Sequence, residues 1–171
     1  MEIQALSAVE TLVSQWQAAL GSSVKVALGG SLASGLFVFD EQTEVIDVDI
    51  RFLVENPQDE RVRQAIEDAT GLRYRKTIAV RNWPAGQSVG VMVEGIIEIP
   101  GLALPLEIEG CIRNPRYVGW AKFYPVVLSQ DELAAIRLRK AQLRSDKKAY
   151  KAFKQDVLAD VQRRVTKQGL L

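Results

Sequence analysis

The sequence predicts an α/β or α+β fold, a mixed β-sheet flanked by helices and followed by a helical C-terminal portion. Three observations lead there. Apolar residues recur at helical spacing from Ile3 to Leu20 and run on, through a short turn, into a β-branched segment and a glycine turn. A strand segment over residues 44–54 alternates between apolar and polar through its centre, from Ile46 to Phe52, and residues 129–171 carry helix-start signals and basic, helix-forming stretches.

In the first segment Ile3, Leu6, Val9, Leu12, Val13, Trp16 and Leu20 form one stripe of an amphipathic helix, closed by Gly21-Ser22-Ser23. Val24 to Leu28 reads as a buried strand. It runs straight into Gly29-Gly30-Ser31-Leu32-Ala33-Ser34-Gly35, a turn opening a short helix. From Glu44 to Val54 a strand places Ile46, Val48, Ile50 and Phe52 on one face and Asp47, Asp49 and Arg51 on the other. Asn56-Pro57 ends it, and a helix is expected over Asp59 to Thr70, stopped by Gly71. Strands follow over Arg73–Val80, Ser88–Ile99 and Leu102–Ile112, the last two joined by Pro100-Gly101 as a hairpin that extends the sheet. Ser129-Gln130-Asp131-Glu132 matches a capping box. It opens a helix over Glu132–Arg144, and Ser145-Asp146 separates this from a second helix over Lys147–Val165.

At 171 residues one domain is expected over 1–171, with a sheet-containing core over 1–128 and a helical portion over 129–171. Cys111 is the sole cysteine, so no internal disulfide forms. No apolar run is long enough to cross a bilayer, and Met1 to Gln4 lacks a signal-peptide pattern, so a cytoplasmic location is expected. The chain contains no histidine. That excludes Ser-His-Asp and Cys-His catalysis, His-ligated zinc and imidazole acid–base chemistry, leaving carboxylates, hydroxyls, Lys and Arg. Charge is polarised: residues 1–60 hold 2 Lys/Arg against 10 Asp/Glu, and residues 131–171 hold 11 against 5.

The candidate site is the strand–turn–helix at Gly29, Gly30 and Ser31 together with Asp47 and Asp49. A glycine turn lets backbone N–H groups approach phosphate oxygens, and Ser31 adds a hydroxyl donor. Two aspartates at alternate strand positions share a face and suit Mg²⁺ held jointly with substrate phosphates. Gly29 to Leu36 lacks the Walker lysine and the dinucleotide glycine spacing, which disfavours P-loop and Rossmann readings. Trp83, Tyr117, Trp120 and Phe123 are expected in the core or a pocket wall.

Ala27-Leu28-Gly29-Gly30-Ser31 through Asp47-Val48-Asp49-Ile50 resembles the polymerase-β-like nucleotidyltransferase superfamily, whose motif pairs a Gly-Ser turn with an Asp-x-Asp strand. The stretch Pro125 to Val161 looks like the abortive-infection and toxin-type branch. The interval from Ser31 to Asp47 is longer than the compact motif, so Phe37 to Thr43 is expected to make an additional turn.

The resemblance implies a third carboxylate on a neighbouring strand, for which Glu107 is the first choice and Glu109 the second. It further implies Mg²⁺ on Asp47, Asp49 and Glu107. A nucleotidyl group would pass from a nucleoside triphosphate to an unidentified hydroxyl acceptor, RNA or protein. Gly29, Gly30 and Ser31 would hold the triphosphate, with Arg137 or Lys140 neutralising its charge. Two other readings remain open: a non-catalytic nucleotide-binding or regulatory module of the same fold, and a toxin-like component with an antitoxin-like partner.

Overall fold

Apolar side chains at every second position of residues 46–52 turn to one side of an extended chain, and that stripe is the centre of the fold. In the computed structural model, which describes residues 2–82, 86–114 and 127–169, Ile46, Val48, Ile50 and Phe52 are each no more than 1% exposed. The elements in chain order are α1 (Glu2–Leu20), β1 (Lys25–Gly29), α2 (Gly30–Ala33), β2 (Ile46–Leu53) and α3 (Glu60–Thr70). After these come β3 (Arg73–Asn82), β4 (Gly86–Ile97), β5 (Leu106–Arg113), α4 (Gln130–Leu143) and α5 (Lys147–Lys167). The expectations for Trp83, Tyr117, Trp120 and Phe123 fall outside the described residues.

The strands form one five-stranded sheet in the order β1-β2-β5-β4-β3. β2 and β5 run parallel, and the other neighbours are antiparallel, so the sheet is mixed. The hairpin expected around Pro100-Gly101 is β4–β5, and it places β5 at the sheet's centre rather than at its edge. α1 and α3 cover the apolar face. Ala5, Val9 and Trp16 of α1 and Ile66 of α3 join the β2 stripe, Val93, Leu106, Ile108 and Ile112 in one cluster, with the Trp16 and Phe52 rings 6.1 Å apart. Ile3, at the start of the α1 stripe, stays 84% exposed. β1 is an edge strand, and Gln17 of α1 occupies part of that edge: its amide accepts from Val26 N–H and donates to the Val24 carbonyl.

α3 begins at Asp59, whose carboxylate accepts from Arg61 N–H, and ends at left-handed Gly71. α4 opens with the full capping box between Ser129 and Glu132, and Asp146 caps α5. The two C-terminal helices build a second apolar cluster from Leu133, Val161 and Val165 against Leu36, in the loop after α2.

Two cations one turn apart, Lys140 of α4 and Arg144 at its C-terminal cap, clamp that same loop. Lys140 Nζ donates to the Leu36 carbonyl at 2.5 Å. Arg144 reaches the Val38 carbonyl, the Asp40 carboxylate and the Thr43 hydroxyl. The loop makes the extra turn expected between Phe37 and Thr43, closed by Thr43 N–H to the Asp40 carbonyl at 3.1 Å. No helix among the described residues is long and apolar enough to cross a membrane.

Candidate functional site

The face of the sheet opposite α1 and α3 carries the chemistry. Because β2 alternates, burying Ile46, Val48 and Ile50 forces Asp47, Asp49 and Arg51 to the other side. β5 alternates in the same phase, and the parallel register sets Asp47 opposite Glu107 and Asp49 opposite Glu109. The antiparallel β4 adds Glu94 opposite Glu109 and Ile96 opposite Glu107. Five carboxylates therefore stand in two rows across three adjacent strands, which lie about 4.8 Å apart.

The glycine turn closes one end of these rows. Gly29 pairs with Asp49 in the β1–β2 ladder, and Gly30 takes a left-handed φ of 70°. The Asp49 carboxylate lies directly against the backbone there: a Cβ on Gly30 would stand 1.9 Å from Asp49 Oδ2. Glycine is required at position 30 both for the backbone conformation and for the close approach. The Ser31 carbonyl accepts from Leu36 and Phe37 N–H at 2.7 and 2.9 Å, folding the loop back on itself.

Ser31, Asp47, Asp49, Glu107 and Glu109 line one cavity of about 520 Å³, with Tyr150 and Lys154 of α5 on its wall. A smaller cavity of about 250 Å³ adjoins it, sharing Ser31, Asp49 and Lys154 and otherwise lined largely by apolar side chains including Leu36, Ile136 and Phe153.

Counter-charges are unevenly placed. Arg51 lies 3.7 Å from Asp49, and Arg75 of β3 lies 2.9 Å from Glu94 and 3.9 Å from Glu109. Asp47 and Glu107 form no ion pair among the described residues. Lys140 is buried, and burial first, then the nearby charges of Lys154 and Arg137, push its ammonium down to about 8 against the pull of Asp47. Burial likewise raises the Tyr150 phenol, and Asp47 adds to that rise. The Lys154 ammonium lies over the Tyr150 ring at 5.4 Å.

The sequence-predicted residues are thus brought together at Gly29, Gly30, Ser31, Asp47, Asp49, Glu107 and Glu109. Lys140 lines the smaller cavity. Arg137 faces a separate hollow beside Leu6, Leu32 and Gly35. Sequence reasoning did not single out Arg75 and Glu94. Glu94 lies within a strand segment that was itself expected, whereas Arg75 reaches the face through a bulge that has no period to read.

The oxygen-only donor set of Asp47, Asp49 and Glu107 suits a hard divalent cation. Among the described residues no three acidic or cysteine groups are gathered closely enough to hold one as they stand. Binding would therefore draw these side chains inward by rotamer change above fixed strand positions.

No protein-family model matches the chain, and no curated protein matches it either. Among solved structures it is similar to a cytoplasmic RNA terminal U-transferase, at 14% identity and a TM-score of 0.31. The match covers 64% of this chain and 28% of that one, a likeness too distant to carry an argument.

Proposed function

We propose that the chain is a single-domain, polymerase-β-like nucleotidyltransferase. It uses Mg²⁺ held by Asp47, Asp49 and Glu107 to transfer a nucleotidyl group from a nucleoside triphosphate to a hydroxyl acceptor. The observation that carries this reading is the register of β2 against β5, which sets Asp47 and Asp49 beside Glu107 and Glu109 in the same cavity as Ser31.

Mg²⁺ bound there would supply charge neutralisation for the triphosphate and acidify a coordinated hydroxyl. Gly30 and Ser31 bind phosphate oxygens through backbone N–H groups and the Ser31 hydroxyl. Lys154 on the cavity wall and Lys140 behind it offset the remaining negative charge. In the transfer, the acceptor hydroxyl oxygen bonds to the α-phosphorus and the bond from that phosphorus to the bridging oxygen breaks. Pyrophosphate leaves with the electron pair, and the hydroxyl proton passes to a carboxylate of the cluster, Asp47 or Glu107.

A thermal-shift titration with each nucleoside triphosphate, with and without Mg²⁺, tests the proposal on the wild type and on the double variant Asp47→Ala/Asp49→Ala. Stabilisation that needs both the metal and the aspartates supports it, and no shift at millimolar nucleotide overturns it. The spread of the carboxylates favours a second reading, a nucleotide-binding module without turnover. Stabilisation by nucleotide that is indifferent to Mg²⁺ and to Asp47→Ala selects that one.

A further inference from the structure

The carboxylate face has a second rim, on the side away from Ser31. β3 is the edge of the sheet, and its ten residues include Arg73, Arg75, Lys76 and Arg81 and no carboxylate. The register of β3 on β4 slips between Tyr74 and Lys76, so Arg75 is the extra residue of a β-bulge. Bulges re-aim side chains and occur often beside functional sites. Here Tyr74 turns toward α3, its ring 4.8 Å from the Arg63 guanidinium, while Arg75 turns onto the carboxylate face. Lys76 stands opposite Met92, which packs with Cys111 and Val80 on that same face. The bulge thus delivers two consecutive cations to one side of a strand that would otherwise alternate them.

Ile96, opposite Glu107 on β4 and two residues beyond Glu94, is 67% exposed and lines the same cavity as Arg75. An isoleucine exposed among carboxylates contributes little to the core and offers apolar contact to a flat group above it. Among the described residues Arg75 is held by exposed ion pairs to Glu94 and Glu109, which are weak, so a phosphate can displace both carboxylates from it.

We infer that this rim seats the acceptor and that the acceptor is the end of a single-stranded nucleic acid. Its last phosphodiesters meet Arg75 and Lys76, its terminal nucleoside rests on Ile96, and its hydroxyl faces Glu107 and Asp47. The inference rests on the nucleotidyl-transfer reading and leaves the bonds made and broken as stated there. An acidic peptide would satisfy the two cations but would bring no planar, hydroxyl-bearing unit to Ile96.

The test is fluorescence anisotropy of a labelled short oligoribonucleotide with the full chain in Mg²⁺ over a range of salt. The variants are Arg75→Gln/Lys76→Gln, Ile96→Ser, and Lys147→Gln/Lys148→Gln, which removes equal charge from the exposed start of α5. Loss of the two rim cations weakens binding about tenfold and lowers the salt slope by roughly 1.4, the value for two single-strand phosphate contacts. Ile96→Ser weakens binding with the slope unchanged, and the α5 control binds as wild type. The Mg²⁺-nucleotide thermal shift persists in the rim variant, which separates this inference from the nucleotide site itself.

Equal weakening in rim and control variants overturns the inference, as does tighter rim-dependent binding of poly-glutamate than of the oligonucleotide. Rim-dependent oligonucleotide binding in a wild type that shows no nucleotide shift overturns the acceptor role.

Discussion

The Gly30 backbone and the Asp49 carboxylate touch: a methyl group on Gly30 would lie 1.9 Å from Asp49 Oδ2 and 2.8 Å from its Cβ. The turn and the acidic strand are therefore a single packed unit. Gly30→Ala incurs left-handed strain of about 1–2 kcal/mol and also drives Asp49 from its position. Gly35→Ala serves as the comparison, since Gly35 has φ 76° and nothing within 4 Å of its added Cβ. In urea denaturation Gly30→Ala loses more stability than Gly35→Ala. Only Gly30→Ala abolishes the Mg²⁺-nucleotide thermal shift.

Asp47 faces Glu107 directly across the parallel ladder, and like charges in that relation destabilise a sheet by roughly 0.2–1 kcal/mol. Asp47→Asn raises the urea midpoint by that order at low ionic strength, the gain shrinks as salt screens the pair, and the nucleotide response is lost. A lowered midpoint would show that Asp47 supports the fold.

Lys140 is held down to about 8 by burial, from an ordinary 10.5. Between those values the unfolded chain binds a proton that the folded chain has released, so this group makes stability rise as pH increases through the window. Nucleotide affinity moves the other way, because the ammonium that offsets the triphosphate disappears. Urea midpoints and nucleotide Kd values from pH 7 to 10 in wild type and Lys140→Met check both signs, with the variant flat in each relative to wild type.

Ser129 and Glu132 cap α4 reciprocally. Ser129→Ala lowers stability by about 1 kcal/mol. Glu132 is held down to about 2 by its bond to Arg164 and by the Ser129 N–H. Its contribution is complete above its ordinary value of 4.5 and fades as pH falls toward 2. Acid titration of the urea midpoint shows a shallower loss in Glu132→Gln than in wild type.

Much of this was readable from residues close in sequence. The β2 alternation, the Gly30 turn, the Ser129 cap and the Gly71 stop each depend on neighbours within a few positions, where local sterics and hydrogen bonding decide the outcome. Period alone set Asp47 with Asp49 and Glu107 with Glu109 on one face of their own strands; that the two pairs meet was implied by the resemblance, and the opposition of Asp47 to Glu107 by neither. That register comes from pairing segments far apart in the chain, which no local pattern specifies.

Lys140 was legible as a candidate phosphate partner, but its burial was not, for a related reason. On a basic helix it looks like one more solvated cation, and it is buried because a distant carbonyl, that of Leu36, requires a donor. The bulge at Arg75 leaves no trace in hydrophobic spacing, since the inserted residue breaks the very period by which a strand is recognised.

The one parallel pairing in the sheet also orders events in time. The chain between β2 and β5 holds α3, β3 and β4, so the closure joining the two carboxylate strands is the longest-range pairing in the sheet and has the largest loop entropy to overcome. Binding competence is for that reason a late event in refolding. A partly folded chain displays its glycine turn and aspartates with no opposing strand, and acquires its ligand-holding face only when the sheet is complete.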